Sequence, residues 1–135
     1  MKKHAPEVGQ FMTHLPVEAE RCETIADAIA LMDKHGIHHI PVMNGTRLKG
    51  VVSLADILRC RAERPGEGDA VPLEDACRSD IFTVGPLTPV DDVARGFLEL
   101  GTDSAVVMDG GFVVGICTTS DILRFVGDYF GQVSS

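Results

Sequence analysis

The chain has 135 residues, 44% of them apolar, with 20 acidic against 12 basic side chains, a formal net charge of −8 and an isoelectric point near 4.9. That length suits one compact domain with a single core, and the apolar fraction is that of an ordinary soluble globular protein. The acidic balance argues against nucleic acid or an anionic membrane as the main partner, since both demand a positive surface.

In chain order, Ala5 to Met12 reads as a short helix, with Pro6 in its first turn and Val8, Phe11 and Met12 on one side. His14 to Cys22 follows, interrupted at Pro16, with room for a short strand. Thr24 caps a helix that runs to His35, carrying Ile25, Ala28, Ile29 and Met32 at three- and four-residue spacing and stopping at Gly36. His38 to Met43 is a strand, Asn44-Gly45 a hairpin turn and Leu48 to Ser53 the returning strand. A helix from Leu54 to about Ala62 comes next. Residues 63–72, polar and rich in Pro and Gly, read as a linker whose acidic character means no more than solvation.

The same order then recurs: a short helix Leu73 to Cys77, a short strand Ile81 to Val84 and a helix from Pro89 to Leu100 stopped by Gly101. Ser104 to Met108 then pairs through Asp109-Gly110-Gly111 with Phe112 to Thr118. The last helix, from about Thr119 to Phe130, carries Ile122, Leu123, Phe125, Val126, Tyr129 and Phe130. That is more apolar faces than one-sided packing needs, so part of it is expected to cover a partner.

The recurrence is a repeat. Gly50 to Arg59 returns as Gly115 to Arg124, and the shift of 65 also aligns Asp27 with Asp92, Gly36 with Gly101 and Gly45 with Gly110 without a gap. In each copy an apolar strand ends in a hydroxyl, Ser53 or Thr118, and three residues later a carboxylate, Asp56 or Asp121, opens a helix. The structural reading is a helix cap completed by an acid suited to the positive end of the helix dipole. The functional reading is that the hydroxyl and the helix amides face an anion while the carboxylate accepts hydrogen bonds from a sugar diol.

Other chemistry finds little support. Cys22, Cys60, Cys77 and Cys117 show no zinc spacing and are expected to be reduced and mostly buried, Cys60 partly exposed. His35, His38 and His39 lack a converging third ligand, because His38 and His39 point to opposite faces of a strand. No nucleophile-elbow, phosphate-loop or dinucleotide-binding motif occurs, so neither catalysis nor a bound cofactor or metal is expected. No run approaches the roughly 20 apolar residues of a membrane span, and no apolar signal core follows Met1-Lys2-Lys3-His4, so a cytoplasmic chain is expected.

Gly36 to Val42, the Asn44-Gly45 hairpin, Gly50 to Asp56 and their second-copy counterparts resemble the CBS domain, and the tandem resembles a CBS pair, or Bateman module. The resemblance runs from Val8 to Val126. It implies a mixed α/β (α+β) fold of two β-α-β-β-α repeats, residues 8–62 and 73–130, each with a short leading helix and packed with pseudo-twofold symmetry as one module. It further implies a regulatory sensor that binds AMP, ADP, ATP or S-adenosylmethionine between the repeats, joined into a homodimer, with an unknown regulated partner. The alternative is a dimerisation or partner-binding module with empty clefts.

Carried over by position, Asp56 and Asp121 would accept from ribose hydroxyls, and Ser53 and Thr118 would hold ribose or phosphate, with Ala55 and Ser120 at the rim. His38 and His39 would supply the phosphate side of the cleft of Thr118, Ser120 and Asp121, gaining charge below about pH 6.5. Asp103 would oppose a phosphate in the other cleft. Val106 stands where the family pattern, kept at Pro41, has proline.

Overall fold

The computed structural model describes residues 5–14 and 17–133; Pro16 lies outside them. The chain forms two compact units, whose described residues are 17–81 in one and 5–14 with 82–133 in the other.

The first unit is built on a three-stranded sheet in the order β1 (Ala19–Glu20), β2 (His39–Asn44), β3 (Arg47–Ser53). β1 runs parallel to β2, which forces a crossover, and helix α1 (Ile25–His35) supplies it. Thr24 caps α1 in a reciprocal box with Asp27, and Gly36 ends it at φ 63°, a left-handed conformation that glycine adopts without strain. The β2–β3 hairpin is antiparallel and carries an irregularity in register at Val42/Met43. Helix α2 (Leu54–Glu63) leaves directly from the end of β3. Ile25, Ala28, Ile40, Val42, Val52 and Ile57 fill the core.

The second unit repeats this plan with β4 (Thr83–Val84), α4 (Val90–Leu100), β5 (Ser104–Asp109), β6 (Phe112–Thr118) and α5 (Thr119–Val133). Its hairpin carries the equivalent irregularity at Val107/Met108. Pro89 stands at the N-cap of α4, where a missing amide hydrogen costs nothing, and Gly101 ends the helix at φ 65°. The fold is thus the mixed α+β arrangement of two three-stranded sheets with helices.

Packing does not follow chain order. The short helix α3 (Leu73–Ala76), which precedes the second repeat in sequence, belongs to the first unit: Leu73 is fully buried in its core and donates its amide to the Glu23 carbonyl at 2.7 Å. Reciprocally, Val8 is fully buried among Val93, Phe97, Ala105, Val107 and Cys117 of the second unit. Each leading segment therefore completes the core of the other repeat.

Two local expectations are corrected. Ala5 to Met12 is not a helix beyond a single 3-10 turn, Val8–Gln10, because the amides of Val8 and Gly9 go to the carbonyls of Thr88 and Pro86 at 2.8 Å instead of into a helical ladder. The segment after α2 is not a mere solvated linker. Arg61 pairs with both carboxylate oxygens of Asp69, Arg64 with both of Glu67, and Val71 is buried in the first core while its carbonyl accepts from Ile25.

Among the described residues no helix is long and apolar enough to cross a membrane.

Candidate functional site

Each unit presents one strand-to-helix junction of the same design. In the first, Ser53 ends β3 and caps α2: its Oγ accepts the Asp56 amide at 3.1 Å, while Asp56 Oδ2 accepts the Ser53 amide at 2.9 Å and the Ser53 hydroxyl at 2.8 Å. Asp56 Oδ1 accepts from Arg59 and from Arg78, both at 3.0 Å. In the second, Asp121 Oδ2 accepts the amide and hydroxyl of Thr118 at 2.9 and 3.2 Å, and Oδ1 accepts the Thr13 hydroxyl at 2.9 Å together with Arg124. Asp56 is 3% and Asp121 4% exposed.

A plain capping box elsewhere in the chain provides a control. At α1, Thr24 and Asp27 exchange the same three bonds, yet Asp27 is exposed and, among the described residues, accepts from no arginine. Capping by itself therefore explains neither the burial of Asp56 and Asp121 nor the extra donors on their Oδ1 atoms. Burial pulls the Asp56 carboxyl upward, but the Ser53 amide and hydroxyl and the Arg78 guanidinium outweigh it and hold the group below the ordinary carboxylate range.

Thr13 and Arg78 were not among the residues singled out from the sequence. They are related by the same shift of 65, and each follows a leading segment that pairs with the third strand of its unit: Arg78 with Val51, Thr13 with Ile116. The pairing is close. A Cβ on Gly50 would overlap the Arg78 carbonyl, and one on Gly115 would stand 2.8 Å from the Thr13 carbonyl and 2.7 Å from Met12 Sδ. The repeated glycines that open the two motifs are thus what lets residues 78 and 13 reach the carboxylates. Applying the repeat shift to every polar position, rather than only within the motif, brings out this pair.

The remaining predicted site residues fall as follows. Ser120 and Ala55 are exposed on the first turns of α5 and α2. His39 is the cross-strand neighbour of Ser53 in the β2–β3 ladder, and the carbonyl of exposed His38 accepts the Leu54 amide at 3.0 Å, so both histidines belong to the unit of Ser53 and Asp56. His38 also lines a cavity of about 270 Å3 with Ile29, Met32, Asp33, Gly36 and Leu54. Asp121 and Arg124 border a second cavity, of about 420 Å3, with Gln10, Phe11, Phe125, Asp128 and Tyr129. Cys60, expected to be partly exposed, is buried at 6% because it faces the core from the last turns of α2. Among the described residues no three His, Cys, Asp or Glu side chains are grouped as a metal site.

A tandem of such repeats, each ending a hairpin in a hydroxyl that caps a helix over a buried aspartate, defines a class of paired α+β modules. The CBS domain family matches residues 8–63 and 73–128, and the chain belongs to that family. It is similar to the CBS domain pair of protein MJ0100, solved in complex with 5′-methylthioadenosine and S-adenosyl-L-methionine, at 26% identity and a TM-score of 0.81, covering 93% of this chain and 98% of that one. CBSX2, solved in complex with AMP, is 25% identical with a TM-score of 0.74 over 91% of this chain and 97% of that one. The A-adding tRNA nucleotidyltransferase of Aquifex aeolicus is 29% identical over 88% of this chain, which spans only 14% of that enzyme's length.

Proposed function

We propose that this chain is a non-catalytic regulatory module that binds an adenosine compound, AMP, ADP, ATP or S-adenosylmethionine, as an effector, and works as a homodimer. The ligand-contacting residues in this reading are His38, His39, Ser53, Asp56, Thr118, Ser120 and Asp121. The observation that carries it is the contrast between junctions: the exposed Thr24–Asp27 box is a cap and nothing more, whereas Asp56 and Asp121 are buried carboxylates with extra donors gathered on them. A carboxylate held ionised by such donors, as Asp56 is, suits a ribose diol. The likeness to CBS pairs solved with AMP, 5′-methylthioadenosine and S-adenosyl-L-methionine supports the same ligand class.

A purely structural reading has its own support, because the four donors on each carboxylate already fill its acceptor positions. Thermal unfolding with each of the four compounds separates the two. A ligand of the native state at 100 times its dissociation constant adds about 2.7 kcal/mol and raises the melting temperature. An unmoved melting temperature with all four at millimolar concentration leaves the structural module as the correct reading.

A further inference from the structure

We infer that Arg78 makes the Ser53–Asp56 junction selective for an adenosine compound bearing a 5′-phosphate, by releasing Asp56 to the ligand's hydroxyls and taking the phosphate in exchange. This rests on the adenosine reading above and names the ligand within that class.

The argument starts from saturation. A carboxylate offers about four acceptor positions, and Asp56 fills them with the amide and hydroxyl of Ser53 and the guanidinium groups of Arg59 and Arg78. A sugar diol brings two more donors, so existing ones must leave. The Ser53 pair cannot leave without opening the cap of α2. The two arginines can, since their side chains are 46% and 47% exposed and can turn outward, provided the incoming hydroxyls take over their positions on the buried carboxylate.

Arg59 recurs in the other repeat as Arg124 on Asp121, and so does not distinguish the junctions. Position 78 does. Its counterpart is Thr13, a neutral hydroxyl that can rotate away from Asp121 and leaves no charge behind. On Asp56 two guanidinium groups share one carboxylate, so this cluster holds a surplus positive charge in a chain whose formal net charge is −8. The Arg78 backbone is fixed by reciprocal bonds with Val51, at 3.0 and 3.1 Å, so exchange requires only its side chain to swing. A guanidinium is a planar fork that matches phosphate oxygens bidentately. An adenosine compound without a 5′-phosphate would displace Arg78 and give it nothing in return.

The test is titration calorimetry of the full chain, Arg78→Thr, Arg78→Lys and Thr13→Arg with AMP and with 5′-methylthioadenosine. Arg78→Thr is expected to weaken AMP about tenfold or more, the loss of one charged hydrogen-bond pair, while leaving 5′-methylthioadenosine unchanged or tighter. Arg78→Lys should keep part of the preference, and Thr13→Arg should strengthen AMP. Equal losses for both ligands in Arg78→Thr, with folding verified by circular dichroism, would mean that Arg78 acts only through the fold and would overturn the inference. If Arg78→Thr fails to fold, an AMP preference untouched by both Arg78→Lys and Thr13→Arg overturns it as well. Failure of the native chain to bind AMP, ADP, ATP, S-adenosylmethionine or 5′-methylthioadenosine is a different result, which removes the adenosine reading and this inference together.

Discussion

Gly50 and Arg78 are in contact through backbone alone: the space a Cβ at position 50 would occupy is filled by the Arg78 carbonyl, whose neighbouring amide bonds to Val51. This approach brings the leading segment of one repeat onto the third strand of the other and sets the Arg78 side chain on Asp56.

Gly50→Ala and Gly115→Ala are therefore expected to destabilise the protein by about 1–3 kcal/mol, the usual cost of overpacking, because a fixed backbone carbonyl stands in the way in both. Gly127→Ala is the contrasting case. It lies within α5 with open space where a Cβ would stand, and it should stabilise by about 0.5–1 kcal/mol through helix propensity. Urea denaturation midpoints at unchanged slope read all three.

Acid stability should depend on Arg78. The Asp56 carboxyl lies below its ordinary range in the folded state, so below about pH 4 the unfolded chain takes up a proton more readily than the native one. The stability this supplies is fully present above the unfolded pKa and is lost as pH falls through the folded one. Removing the Arg78 charge raises the folded pKa, so Arg78→Thr should move the acid-unfolding midpoint to higher pH. An unchanged midpoint followed by circular dichroism would show that the Ser53 cap alone holds the carboxylate ionised.

Thiol reactivity should be ordered by burial. Cys22 is exposed and should react with an aromatic disulfide reagent first. Burial, with Asp121 adding to it, pushes the Cys117 thiol up to about 12, so at pH 8 only about one molecule in ten thousand carries its thiolate. Burial likewise raises the Cys77 thiol. Cys117 and the buried Cys60 should release colour only on denaturation; fast labelling of Cys117 in the native protein would contradict the packing of β6.

The outer face of α5 bears on assembly. Leu123 is 70% exposed and Tyr129 50%, with Val126 and Phe130 beside them, and Phe125 stacks on Tyr129 with ring centroids 5.9 Å apart. Apolar and aromatic surface of this kind is what a homodimer buries. Light scattering is expected to give twice the chain mass at micromolar concentration, and Leu123→Glu with Tyr129→Glu should return the monomer. A native monomer at that concentration would refute the proposed dimer.

Several features were legible in the sequence because they depend on residues no more than four apart. Thr24 and Gly36 bound α1 by a cap and a left-handed stop, the Asn44-Gly45 and Asp109-Gly110-Gly111 turns place the hairpins, and Ser53 with Asp56 and Thr118 with Asp121 close their boxes over three residues. The repeat at a shift of 65 added the doubled architecture. Only the tertiary structure decided which leading segment completes which core, that Val71 is buried, and that Ala5 to Met12 holds just one 3-10 turn. In each case the backbone groups and apolar side chains are satisfied by partners far along the chain. The same holds for the donors on the carboxylates: Arg78 reaches Asp56 across 22 residues and Thr13 reaches Asp121 across 108. No local period or cap encodes such a meeting; it follows from the exchange of leading segments and from two glycines small enough to permit it.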